Sequence, residues 1–281
     1  MGSPCPRSPH VFGRGPTVPE LTWTPTIVDI RGEATAYGAR RGRERFVRVP
    51  HVADFSWHSG AKWVTTTPHP DAEPDSVTDA IRAVAIPLFL QDDRSYEVLH
   101  ASAVAMDIGL IGLCGSSGQG KSTLAHGLAL HGLPLWADDL LAFRVDQSGA
   151  VATALPFDQN LRASARDFFQ GSVLSKSRAR RAVAWSRTRL QALFVLAPVP
   201  DGSRVLDITP LQAADAMSSL LPHGMRLLPL DKARERRILT AYVDLIASVP
   251  IYRVTYTQEF AHLPALLDCL EHEARESVLA M

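Results

Sequence analysis

The stretch Leu113-Cys114-Gly115-Ser116-Ser117-Gly118-Gln119-Gly120-Lys121-Ser122-Thr123-Leu124 constrains this chain more than any other. From Gly115 to Ser122 it fits G-x-x-x-x-G-K-[ST], with an apolar run before it and a helix-compatible run after it. Strand, glycine-rich loop and helix in that order turn a pattern match into an expected phosphate loop. Gly115, Gly118 and Gly120 let the backbone take positive φ and bring N–H groups close to phosphate oxygens, which a Cβ would obstruct. Ser116, Ser117, Gln119 and Thr123 complete the cradle. Lys121 is expected to reach the β and γ phosphates, and the Ser122 hydroxyl to ligate Mg²⁺, beside the positive end of the helix dipole. The competing reading is a glycine-rich turn that simply joins a strand to a helix.

A chain of 281 residues, 46% of them hydrophobic, can bury a full core in one large domain or two modest ones. Lys plus Arg equals Asp plus Glu at 29 each, so no overall basic field favours nucleic acid and no acidic excess suggests a solvating tail. Three cysteines (Cys5, Cys114, Cys269) with no C-x-x-C pair argue against a disulfide framework and a zinc site, and point to the cytoplasm. Residues 1–20 lack the apolar core of a signal peptide, and no apolar run approaches the roughly 20 residues of a membrane span. A membrane partner is therefore not expected, and the oligomeric state stays open.

Five prolines and three glycines in residues 1–20 predict a flexible tail. Residues 21–95 predict a small β-rich lobe, with strand-favouring runs at Thr26 to Ile30, Glu44 to Val49 and Lys62 to Thr67. The basic run Ala39 to Arg45 reads as a solvated turn. Asp75 to Gln91 reads as a helix with Val77, Ile81, Val84, Ala85 and Leu88 on one face, kinked or shortened by Pro87. Residues 96–281 form the last unit. Tyr96 to Ala105 is one β-compatible segment, Leu110 to Cys114 the strand entering the loop, and Gly132 ends the following helix. Leu133 to Ala137 is a short strand that runs into Asp138-Asp139, two carboxylates at the strand end where open α/β sheets bind ligands. A neighbouring-strand carboxylate can complete a Mg²⁺ shell or orient a nucleophile, although an Asx turn or helix cap explains the pair as well.

Asp146-Gln147-Ser148-Gly149 marks a β-hairpin. Asp158, Asn160 and Arg162 fall near the presumed site, and the basic segment Gly171 to Arg189 is either a solvated loop or the source of a cation for phosphoryl charge. Leu190 to Leu196 predicts a buried strand. Thr209-Pro210 predicts a helix start with Leu211, Ala214, Met217 and Leu221 inward; Asp231 to Ala247 and Leu263 to Val278 predict helices around a strand at Ile251 to Tyr256.

Three blocks, Leu99-His100-Ala101-Ser102-Ala103-Val104, Gly115 to Thr123, and Leu135-Trp136-Ala137-Asp138-Asp139, together resemble in order and spacing the core of bacterial HPr serine kinase/phosphorylases. The resemblance is specific from Tyr96 to Phe157. It continues weakly at Val249 to Tyr256, which is similar to the closing strand of HPr-kinase-like proteins found beside peptide natural-product genes, including lasso-peptide clusters. It implies an α/β, phosphoenolpyruvate carboxykinase-like P-loop kinase core over 96–281, behind the β-rich lobe and with C-terminal helices. It also implies Mg²⁺-dependent phosphoryl transfer from ATP or another nucleoside triphosphate to a serine hydroxyl. By matching position, Asp138 would be the base, Asp139 with Ser122 would serve the metal, and His100 would tune the acidic pair; without the resemblance His100 reads as a hydrogen-bonded histidine in a buried strand. The glycine-rich signature that follows the acidic pair in HPr kinases has no counterpart here, so neither the phosphorylase reaction nor HPr as substrate is carried over. The expected partner is a peptide or protein bearing an acceptor serine, a biosynthetic precursor peptide above all; a small-molecule alcohol kinase and a regulatory nucleotide-binding module are the alternatives.

Overall fold

A computed structural model describes residues 21–28, 32–92, 96–155, 187–199, 205–224 and 232–279. The tail 1–20, Asp158, Asn160, Arg162 and the basic residues Lys176 to Arg181 lie outside the described residues. The protein is mixed α/β.

Five short strands, β1 (Thr24–Val28), β2 (Ala34–Arg41), β3 (Glu44–Val49), β4 (Ala53–His58) and β5 (Thr65–Pro68), form an antiparallel sheet in sequence order. The basic run closes the β2–β3 turn, with Arg41 opposite Glu44 and Gly42 at φ +58°. Period-two alternation along β4 buries Ala53, Phe55 and Trp57 on one face. That face packs on Ala80, Val84 and Ala85 of the helical stretch that follows. This stretch runs as α1 (Pro74–Ala80), a π-helical turn (Ile81–Ala85) and α2 (Ile86–Asp92). The expected kink at Pro87 is thus absorbed upstream: a proline ring collides with the carbonyl four residues back, and a wider turn relieves the clash without ending the helix. Asp92 then accepts from Arg45 at 2.8 Å and from Trp57 Nε1 at 3.1 Å, tying the helix end to the sheet.

The second sheet is built from β6 (Glu97–Leu99), β7 (Ala101–Met106), β8 (Gly109–Cys114), β9 (Leu135–Ala137), β10 (Leu141–Asp146), β11 (Gly149–Thr153), β12 (Arg187–Val199), β13 (Leu206–Pro210) and β14 (Ile251–Thr257). Its main path is β6-β10-β11-β12-β8-β7-β9, with β14 beside β12 and β13 on the outside of β14. The single segment expected over Tyr96 to Ala105 is two strands. β6 pairs with β10, β7 pairs with β8 and β9, and the chain changes partners at His100. Strand β8 is parallel to β12 and covered on both faces, which is why it reads as an unbroken apolar run.

One face carries α3 (Lys121–Leu130) and α6 (Leu263–Leu279), which bury Leu124, Leu128, Leu267 and Leu270 against Leu113 and Phe194. Gly127 permits that approach, since a Cβ there would stand 2.7 Å from Leu267. The other face carries α4 (Ala213–Leu220) and α5 (Lys232–Ser248), with Tyr242 and Leu245 packed over Leu141 and Phe143. The helix expected to start at Thr209-Pro210 starts later. Thr209 and Pro210 pair with Arg253 and Tyr252 on the outside of the sheet, where the missing proline N–H costs no ladder bond, and the helix buries Ala216 and Leu220 while Ala214 is exposed. Among the described residues no helix is long and apolar enough to cross a membrane.

Candidate active site

The glycine-rich loop leaves the carboxyl end of β8 and enters α3 at Gly120, a left-handed N-cap at φ +83° with no side chain capping it. A helix start with no side-chain cap is one where first-turn amides and the helix dipole can serve an anion. Gly118 is left-handed too, at φ +91°. Gly120 has a second reason to be glycine, because a Cβ would lie 3.3 Å from the Tyr256 hydroxyl.

The loop is braced from the far end of the sequence. Tyr256 Oη donates to the Gln119 carbonyl at 2.5 Å and Gln258 Nε2 to the Gly118 carbonyl at 2.6 Å, while the Gln119 side chain accepts from the Ser116 amide at 2.5 Å. Burial pushes the Tyr256 phenol up to about 12, so it stays a donor at neutral pH. The same effect holds the neighbouring Cys114 thiol at about 12, which removes it as a nucleophile.

Lys121 is only 5% exposed. Its Nζ donates to the carbonyls of Gly115 (2.9 Å) and Ser116 (3.3 Å) and lies 3.0 Å from His100 Nε2. An ammonium has no lone pair, so His100 Nε2 must accept and the imidazole proton must sit on Nδ1. Nδ1 is 3.0 Å from the Asp139 carbonyl, an acceptor, which fits that tautomer. Burial first, and the Lys121 charge second, hold His100 below the usual histidine range, against the opposing pull of Asp139 and Asp138. His100 therefore links the lysine to the acidic turn as a neutral ring, through the turn's backbone.

The adjacent carboxylates diverge. Asp139 adopts a left-handed φ of +66°, which its short side chain tolerates. Asp138 Oδ1 accepts from Ser102 Oγ at 3.2 Å, whereas Asp139 stands on the cavity wall. Ser102, fully buried in β7, is a site residue the sequence reading passed over, although it is a lone hydroxyl in the apolar block that contains His100. His223 is another: its carbonyl accepts from the His100 amide at 2.7 Å, and burial, then the charges of Lys121 and His100, lower its pKa. Nothing in the sequence marks it or Gln258 as a site residue, and Tyr256 is marked there only as the end of the Val249 to Tyr256 strand, because tertiary register alone brings them here.

Beside these groups opens a cavity of about 390 Å³, within the usual range for small-molecule sites. Its lining comprises Ser117, Gly118 and Gly120 to Leu124 from the loop and α3, Tyr256 to Phe260 with Leu263 and Leu266 from the C-terminal segment, and His100 and Asp139. Arg187 and Arg189, the described members of the basic segment, sit in β12 opposite Thr153 and Val151 and do not line it. Among the described residues no group of three or more His, Cys, Asp or Glu side chains could cage a metal. Mg²⁺ needs less, commonly one or two carboxylates with phosphates and waters, and Asp139 with the Ser122 hydroxyl is a donor set of that kind.

No family model matches the sequence, and no curated protein matches it. Among the solved structures to which the chain is similar is the HPr(Ser) kinase/phosphatase from Coxiella burnetii, 13% identical, with a TM-score of 0.37 over 65% of this chain and 93% of that chain. At that distance the chemistry of this site is read from its own residues.

Proposed function

We propose that this protein is a Mg²⁺-dependent kinase that moves a phosphoryl group from a nucleoside triphosphate to a serine hydroxyl of a peptide or protein, a biosynthetic precursor peptide in preference to HPr. One observation carries the reading: a cation, a neutral histidine and the Asp139 turn meet beside a glycine-rich loop at the mouth of a helix with no side-chain cap, while Asp138 next to Asp139 accepts from Ser102. The loop amides and Lys121 hold the phosphates and stabilise charge on the group in transfer. A serine alcohol stays protonated at neutral pH, so Asp138, oriented by Ser102, takes its proton. Ser122 and Asp139 would hold the metal, which when bound would neutralise phosphate charge. His100 spaces Lys121 from the acidic turn.

A cavity of about 390 Å³ lies within the range for a small-molecule ligand such as a nucleotide, and the resemblance of the His100, Gly115 to Thr123 and Asp138-Asp139 blocks to serine kinases supports a serine acceptor. The test is incubation with Mg²⁺-ATP and serine peptides encoded beside the gene, read by mass. One added phosphate on a serine supports the proposal. Modification of a free alcohol alone, with peptides untouched, replaces it with a metabolite kinase, and nucleotide binding without transfer to either replaces it with a regulatory module.

A further inference from the structure

The cavity has two chemically different kinds of lining. The loop, Lys121 and Ser122 suit a polyanion. Phe260, 40% exposed, with Leu263 and Leu266, 6% and 4% exposed, adds an apolar and aromatic lining to the same cavity. Phosphates gain nothing from an aromatic face, and water solvates one poorly. A ligand that satisfies both kinds of lining carries a polyanionic tail and a flat, π-faced head.

We infer that the lining formed by Phe260, Leu263 and Leu266 is a base subsite, where the aromatic base of a nucleoside triphosphate stacks on Phe260. The short 3₁₀ turn Phe260–His262, which joins β14 to α6, presents the ring. The same β14 segment that braces the loop through Tyr256 and Gln258 leads directly into it. Base and phosphate linings are therefore set by one continuous piece of backbone. The inference rests on the nucleotide reading above, so its test must separate the two.

Isothermal titration of the full chain with Mg²⁺-ATP and with Mg²⁺-tripolyphosphate does so, because the second ligand has the tail without the head. Aromatic stacking on a base predicts that ATP binds the native protein roughly ten- to a hundredfold more tightly than tripolyphosphate. In Phe260→Ala that advantage should collapse to within about threefold with tripolyphosphate affinity unchanged, and Phe260→Tyr should restore it. Equal binding of the two ligands to the native protein, or an ATP affinity indifferent to Phe260→Ala, overturns the base subsite and leaves the loop reading standing. Failure of both ligands to bind the native protein removes the nucleotide reading and this inference with it.

Discussion

Lys121→Ala should both cripple transfer and retune a histidine, and the two effects can be measured separately. Loss of a preorganised contact to the transferring group should cost about 3 kcal/mol or more, at least a hundredfold in kcat. The stability cost is smaller. The Gly115 carbonyl is buried and loses its 2.9 Å donor, which costs about 1–3 kcal/mol. Ser116 is exposed, so water replaces the bond there. A chain of this size loses roughly 2–4 °C in Tm per kcal/mol, so the fold should survive a fall of roughly 2–12 °C. The diagnostic signal is His100. Burial and then the Lys121 ammonium hold its pKa down; removing the ammonium and admitting water both act upward. An NMR titration of the imidazole in the two proteins should show that rise, with calorimetry reporting stability and nucleotide affinity. An unchanged His100 titration would refute the 3.0 Å contact as an electrostatic link, and equal nucleotide affinity with unchanged turnover would refute the loop as phosphate holder.

If Asp138 is the base, Asp138→Asn should abolish transfer and largely spare Mg²⁺-nucleotide binding, Ser102→Ala should give a weaker form of that defect, and Asp139→Asn should weaken the metal dependence; identical defects at both carboxylates, with metal affinity untouched, would reject this division. Gly120→Ala should cost about 1–2 kcal/mol for its left-handed backbone alone, with further loss as the new methyl meets Tyr256, and denaturant unfolding checks it. His100 and His223 both have folded pKa values below 6.5, so the unfolded chain protonates first as pH falls. Their contribution is therefore whole above about pH 6.5 and declines below it until the folded pKa values are reached, and a His100→Gln, His223→Asn double variant should show a flatter Tm profile across pH 5 to 7 than the parent.

Local signals carried the parts of this molecule that are local in cause. The Asp146 to Gly149 hairpin, the helix ending before Gly132 and the strand, loop and helix around Gly115 each need only neighbours in sequence, and all were legible. The break at His100 was not, because Tyr96 to Ala105 has no glycine or proline and only the choice of pairing partner divides it. Thr209-Pro210 carried a genuine helix-start signal that pairing with β14 overrode. At the site, Lys121, His100, Asp138 and Asp139 could be named from the sequence. Their connections could not: the left-handed step at Asp139 that parts the carboxylates, and the Ser102 bond, depend on how β7 and β9 meet.

The braces on the glycine-rich loop span 137 and 140 residues of sequence. On a ribosome adding about 5–20 residues per second, the loop emerges roughly 7–27 s before Tyr256 exists to hold it. For that interval β8 and α3 can be present while the carbonyls of Gly118 and Gln119 have only water for partners. Competence to grip a ligand is thus written into the end of translation, and a nascent chain caught short of β14 would carry the motif without the site.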